Sequence, residues 1–288
     1  MKKIVVDKKF NNKKLIDFIL YSFPTLGINT IYKALRKKDI RINGKKVSEN
    51  QTIFENDEVL IYVSDDVLFS NQLSIVFEDE NILVLNKHTN IEVTGANSLT
   101  SIVQASYPKA MPCHRLDRNT TGLVLFAKNE DALNILLDKF KNREIEKHYI
   151  CIVNGILSKK SDILNDFLFK DNKKSTVYIS KTKSSGYLPI TTKYKVLKEN
   201  KRKNISLLDI ELITGRTHQI RAHLAFIGHP ILGDGKYGIN EINKKFKVDK
   251  QLLCSYKIVF HFNYDSGILN YLNGKEIKIS YANFEKIL

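Results

Sequence analysis

The chain has 288 residues, 43% of them hydrophobic, enough for one large domain or two of ordinary size with a sizeable core. Lysine and arginine number 46 against 31 acids, a formal charge of +15, so a polyanion is the expected partner and nucleic acid leads over a membrane surface. Abundant lysine from an AT-rich genome is the bland alternative. No apolar run approaches the ~18 residues of a membrane span, and the apolar stretch Ile4 to Val6 falls well short of the roughly 7 residues of a signal-peptide core. Cys113, Cys151 and Cys254 lie far apart, which argues against a disulfide framework or a zinc site and places the chain in the cytoplasm.

In chain order, "KLIDFILYSF" sets Leu15, Phe18, Ile19 and Phe23 at helical spacing, and Pro24 is expected to end that helix. "NTIYKALRKK" predicts a second amphipathic helix, with Ile31, Ala34 and Leu35 inward and Asn29 or Thr30 as its cap. "IRINGKKV" reads as two short strands around an Asn43-Gly44 turn, and "DEVLIYV" as an alternating strand. Basic residues crowd this stretch: Lys33, Arg36, Lys37, Lys38, Arg41, Lys45 and Lys46, with only Asp39 opposing them. They form a patch able to neutralise several phosphates, or simply a solvated face. A joint is expected near Val63 to Gln72, dividing the chain into 1–68 and 69–288.

Beyond the joint the pattern is rich in strands. "LSIVFEDE", "NILVLNK", "GLVLFAK", "KHYICIVNG", "TVYIS", "TTKYKVL" and "ISLLDIELI" are the strand candidates. "LTSIVQASY", the segment after the cap Asn129, and "THQIRAHLAFIG" closed by Gly228 are the helices. Strands arriving mostly without intervening helices predict an α+β domain with a mixed, mostly antiparallel sheet.

Three segments carry candidate chemistry. In "MPCHRLDRNTTGLVLFAK", Asp117 lies between Arg115 and Arg118; an extended chain would put Arg115 and Asp117 on one face. Opposite charge nearby favours a carboxylate suited to nucleophilic or electrostatic work, and a surface salt-bridged turn is the plainer reading. In "EKHYICIVNG", Tyr149 stands among apolar residues, either as a core tyrosine or as a group at a site. In "LITGRTHQIRAHLAFIGHPILGDGKYG", Arg216 stands at the entrance of a helix bearing His218, Gln219, Arg221 and His223. His218 and His223 are five apart and diverge by roughly 140°, so they are not a metal pair, and no metal is expected. Arg221 among apolar neighbours needs a buried anionic partner, for which Asp117 is one candidate. The glycines of the last stretch read as turns.

Together these segments resemble the RluA-type RNA pseudouridine synthases. "HRLDRNTTGLVLFAK" is similar to one family signature, with Thr121 where Ser is common, and "GRTHQIRAHLAFIGHPILGDGKYG" to another. "NILVLNKH" resembles the family's early strand, with His88 in place of a proline. Residues 12–64 resemble the small S-four RNA-binding domain. The resemblance implies the pseudouridine synthase fold behind a small N-terminal α/β RNA-binding domain, and an isomerase acting on RNA without a cofactor. It implies Asp117 as the catalytic aspartate, Arg115 as the residue filling the gap left by a flipped nucleotide, Tyr149 as the stacking and proton-moving tyrosine, and Arg221 as the partner of Asp117. RNA contacts are expected at Arg115, His114, Arg216, His218, Lys33, Arg36, Lys37, Arg41 and Lys45. Large-subunit ribosomal RNA is the expected substrate, with tRNA as the alternative, and a monomer is the expected state. Arg118 has no expected role. A catalytically silent RNA-binding factor is one rival. A hydrolase with paired carboxylates about 5–9 Å apart is another, set aside because no second acid is expected in any of the three segments.

Overall fold

In the computed structural model, residues 2–23, 26, 28–62, 73–96 and 98–288 are described. The chain divides into two compact units, Met1–Leu73 and Ser74–Leu288. The expected helix stop at Pro24 and the expected joint at 63–72 lie outside the described residues.

The first unit has strands β1 (Lys2–Val5), β2 (Lys13–Lys14), β3 (Ile40–Ile42), β4 (Lys45–Val47), β5 (Thr52–Ile53) and β6 (Glu58–Ile61), with helices α1 (Leu15–Ser22) and α2 (Ile28–Arg36). A four-stranded sheet runs β1-β6-β3-β4, and β2 pairs with β5. Asn43 and Gly44 adopt φ of 48° and 79°, the left-handed pair that a two-residue hairpin between β3 and β4 requires. The helices bury Leu15, Phe18, Ile19, Ile31, Ala34 and Leu35 against Ile40, Val59 and Ile61. Because α2 begins at Ile28, Asn29 and Thr30 lie within its first turn and not at the cap position.

The second unit is α+β. Its strands are β7 (Ile75–Glu78), β8 (Ile82–Lys87), β9 (Met111–Pro112), β10 (Thr121–Ala127), β11 (Ile145–Asn154), β12 (Ser161–Asp171), β13 (Thr176–Ser180), β14 (Leu188–Asn200), β15 (Ile205–Leu212), β16 (Leu253–Phe260) and β17 (Glu276–Lys278). Its helices are α3 (Leu99–Ser106), α4 (Glu130–Lys141), α5 (Gln219–Phe226), α6 (Asn240–Lys245) and α7 (Ala282–Glu285). The sheet order is β13-β12-β14-β15-β11-β16-β10-β8-β7, with β17 on β16 and β9 on β10. Among the described strands only β10 and β16 run parallel.

That parallel pair is unusually tight. Thr121 faces Cys254 and Gly122 faces Ser255. Gly122 has φ 107°, and a Cβ there would fall 2.1 Å from the Ser255 carbonyl oxygen, so no side chain fits. The Thr121 hydroxyl donates to the Leu253 carbonyl at 3.3 Å. These contacts fix where β10 begins, and hence where the loop before it, carrying Asp117, must lie. Asn129 caps α4 by accepting from the Ala132 N–H at 2.8 Å. α4 and β10 pack over a core of Leu123, Leu125, Ala132, Leu136, Ile258 and Phe260. No helix among the described residues is long and apolar enough to cross a membrane.

Candidate active site

The segment from His114 to Asp117 is a loop between β9 and β10, closed by a turn in which the Thr120 N–H donates to the Asp117 carbonyl at 3.1 Å. One buried and one exposed side chain hold it. The Lys87 ammonium is almost fully enclosed and donates to the carbonyls of His88, Ile91 and Arg118 at 2.9, 2.9 and 3.1 Å. Burial pushes that ammonium down to about 7, with the charge of Asp117 opposing. Arg118 in turn donates through Nε to the Asn90 carbonyl at 3.2 Å. Arg118 therefore straps the 88–91 loop to the Asp117 loop, which is the role the sequence left open. The loop that follows Lys87 is held by side chains, with His88 standing where a proline was expected.

Neither sequence neighbour pairs with Asp117. Its Oδ2 accepts from Arg221 Nη1 at 3.1 Å, across 104 positions of chain. Arg221 is the third residue of α5 and is buried. Its main partner was missed: Asp234 accepts from Nε at 2.7 Å and from Nη2 at 2.9 Å, a bidentate pair on a fully enclosed carboxylate. Asp234 also accepts from the N–H groups of Lys236 and Tyr237 at 2.8 and 3.1 Å. Burial alone would raise Asp234, but Arg221 and these N–H groups hold it below the ordinary aspartate value. Burial likewise works against the Arg221 charge, and Asp234 and Asp117 more than offset it. A second acid therefore does stand in the third segment, contrary to expectation. Its four accepted hydrogen bonds leave it no part as a proton donor.

His218 is not on the helix as expected; it is the residue before α5, at φ 53° and ψ 16°, a strained left-handed position for a residue with a Cβ. That turn brings Nε2 to 3.9 Å from the Asp117 carboxylate and Nδ1 to 3.0 Å from the Tyr237 hydroxyl. Burial favours the neutral imidazole, with Asp117 opposing. Gln219 bolts the start of α5 to β14, donating to the Thr191 carbonyl at 3.1 Å and to Thr192 Oγ1 at 3.0 Å. His223 faces away, sandwiched between Thr192 Oγ1 and Asp166 at 2.9 Å each.

Tyr149 lies on β11 beside a register shift at His148/Tyr149, an irregularity that re-aims a side chain. It is buried, and burial together with the charge of Asp117 pushes its phenol well above the usual tyrosine value. Tyr149, Asp117, His218 and Arg221 line one cleft of about 260 Å³, with Arg115, Arg216 and Lys147 also on its walls. Arg115 and Arg216 are exposed. His114 lines the cleft but is not free to face RNA: its Nε2 accepts from the Leu125 N–H at 3.1 Å and its ring packs on Phe140. Burial, helped by the Lys147 charge, pushes His114 down to about 3, so it carries no charge for a phosphate. Lys33, Arg36, Lys37 and Lys45 are exposed on the first unit, while Arg41 is half-buried with its guanidinium 5.0 Å from the Tyr62 ring centre. No cluster of metal-ligating side chains occurs among the described residues.

The family model described as RNA pseudouridylate synthase matches residues 81–226, just over half of the chain and including Asp117, Tyr149 and Arg221. The chain belongs to this family. Within it, the chain is an RluA-type pseudouridine synthase, an isomerase of RNA uridines. It is 31% identical to an RNA pseudouridine synthase of Mycoplasma capricolum subsp. capricolum, covering 96% of this chain and 97% of that one. It is 30% identical to the ribosomal large subunit pseudouridine synthase C of Haemophilus ducreyi, covering 82% of this chain and 79% of that one. Among solved structures, human RNA pseudouridylate synthase domain containing 4 matches with a TM-score of 0.60 at 21% identity, over 74% of this chain and 90% of that one. Human RNA pseudouridylate synthase domain containing 1 gives 0.58 at 23%, over 75% and 94%. At these identities the likeness is one of fold.

Proposed function

We propose that this pseudouridine synthase isomerises uridine in large-subunit ribosomal RNA, in the cytoplasm, with Asp117 as the acting carboxylate on a flipped-out nucleotide. The observation that carries the reading is the setting of Asp117: a partly open carboxylate on a strapped loop, aimed by a buried arginine and facing a buried tyrosine. Pseudouridine formation breaks the N1–C1′ bond, turns the uracil, joins C5 to C1′ and releases the C5 proton. Substrate and product are isomers, so the atoms balance within the nucleotide.

Each group has a task in that sequence. The target must leave its stack, at a cost of a few kcal/mol. Arg115, exposed at the rim, fills the vacated space, and the phosphate contacts of the basic surface offset the cost. Asp117 engages the ribose or the base of the flipped uridine as an ionised, positioned group. Arg221 holds it in place, and because Asp234 already fixes Arg221 in two directions, Asp117 receives a guanidinium that cannot swing away. Tyr149 offers a ring face for uracil and, as a phenol rather than a phenolate, a hydroxyl that relays the C5 proton. The first unit, with Lys33, Arg36, Lys37, Arg41 and Lys45, serves as an RNA grip.

The choice of ribosomal RNA over tRNA follows relatives named for the ribosomal large subunit, such as that of Haemophilus ducreyi. Pseudouridine mapping of total RNA from a strain lacking the protein tests it. Loss of one or more pseudouridines from the large ribosomal RNA is expected; loss confined to tRNA would overturn this choice of substrate.

A further inference from the structure

Lys147 stands two positions before Tyr149 on β11 and lines the same cleft. Its ammonium has no carboxylate within ion-pair distance among the described residues; its one partner is the Phe140 ring, 4.8 Å from ring centre to Nζ. Burial pushes it down to about 8, with no anion pushing back. Three other sheltered lysines of this unit have polar partners. Lys139 pairs with Glu144 at 2.7 Å, Lys128 with Glu78 at 2.8 Å, and Lys87 donates to three carbonyls.

A desolvated ammonium without a counter-charge weakens the free protein, so its place in the cleft wall calls for an anion brought from outside. The surroundings favour one. The neutral ring of His114 lies beside it, and Gly215 lies across from it, where even a Cβ would come within 4.0 Å of Nζ. Arg115 and Arg216 add exposed positive charge to the same cleft. A uridine in RNA carries its negative charge on its phosphates; ribose and uracil are neutral. We propose that Lys147 binds a backbone phosphate flanking the target uridine and so anchors the strand in the cleft before the chemical step. The inference rests on the reading of Asp117 as the acting carboxylate, and makes Lys147 a positioning residue for the strand.

The test uses full-length protein and total RNA carrying 5-tritiated uridine, taken from a strain lacking the protein. Wild type, Lys147→Met and Lys147→Arg are compared on whichever RNA fraction releases tritium. For Lys147→Met, KM should rise roughly tenfold at low salt, as for loss of a charged hydrogen bond, while kcat stays within about threefold. The slope of log affinity against log salt should flatten by about 0.7–0.9, one phosphate contact. Lys147→Arg should restore both. The melting temperature of Lys147→Met should not fall, because an unpaired sheltered charge has become an apolar group of similar length. An unchanged KM and salt slope in Lys147→Met would overturn the proposal, as would a loss confined to kcat or one that the lower melting point explains. Loss of turnover in Asp117→Asn with normal behaviour of Lys147→Met would sink this inference alone; normal turnover in Asp117→Asn would sink the reading beneath it.

Discussion

Replacing Asp234 by Asn is the sharpest perturbation of the site that leaves every cleft-lining side chain in place. The buried Asp234 carboxylate accepts both Nε and Nη2 of Arg221, at 2.7 and 2.9 Å. An amide can accept only one of these, and its NH₂ would face the other donor. Arg221 would then be a buried cation whose one remaining carboxylate, Asp117, bonds it through a single 3.1 Å contact. Breaking a buried pair from one side costs about 3–5 kcal/mol. For a domain of this size that lowers the melting temperature by roughly 6–20 °C. The same change lets the guanidinium drift, and a misplacement of about 1 Å at a catalytic group costs roughly 10²-fold in rate. Thermal melting measures the first effect. Single-turnover tritium release, run well below the lowered midpoint, measures the second. An Asp234→Asn protein that melts within about 2 °C of wild type and isomerises at the full rate would refute the claim that Asp234 fixes Arg221.

Tyr149→Phe keeps the ring and removes the hydroxyl: RNA affinity should hold while single-turnover rate falls roughly 10²- to 10⁴-fold, and unchanged rates would remove the hydroxyl from the mechanism. Gly122→Ala drives a Cβ into the Ser255 backbone at a positive φ and should cost roughly 2–4 kcal/mol in denaturant unfolding; a neutral result would mean β10 and β16 separate easily. Replacing Lys33, Arg36, Lys37 and Lys45 together by Gln should flatten the salt dependence of RNA binding by about three in log–log slope. If affinity and slope stay the same, the first unit is not an RNA grip.

Much of the fold was legible where apolar spacing is clean. The α1 and α2 faces, the Asn43-Gly44 hairpin, the Asn129 cap and the buried β10 all follow local rules. β12 escaped because its sequence does not mark one apolar face: Asp166 is buried on the inner side of the strand while Ile163 is exposed on the other. β16 mixes Ser255 and Lys257 into a central strand, where a tight parallel neighbour decides the choice of residue. In the site, the pairing of Asp117 with Arg221 could be argued from a buried arginine's need for an anion. Asp234 could not, because Gly-Asp-Gly has the look of a turn and its bond to Arg221 depends on how the chain after α5 folds back. A buried arginine with three well-placed donors was the available signal, since one exposed-side carboxylate could not satisfy all of them. Lys147 was hidden for a similar reason: its lack of a partner is a property of the folded cleft.

Asp117 is the carboxylate to which the chemistry is assigned, and its replacement by Asn separates that role from RNA binding. Wild type and Asp117→Asn are mixed in excess with RNA carrying 5-tritiated uridine from a strain lacking the protein, and tritium release and RNA affinity are followed in parallel. Asp117→Asn should bind RNA with affinity within about threefold of wild type, since phosphate contacts dominate binding, and should release no tritium. Release at the wild-type rate would contradict the assignment of the chemistry to this carboxylate.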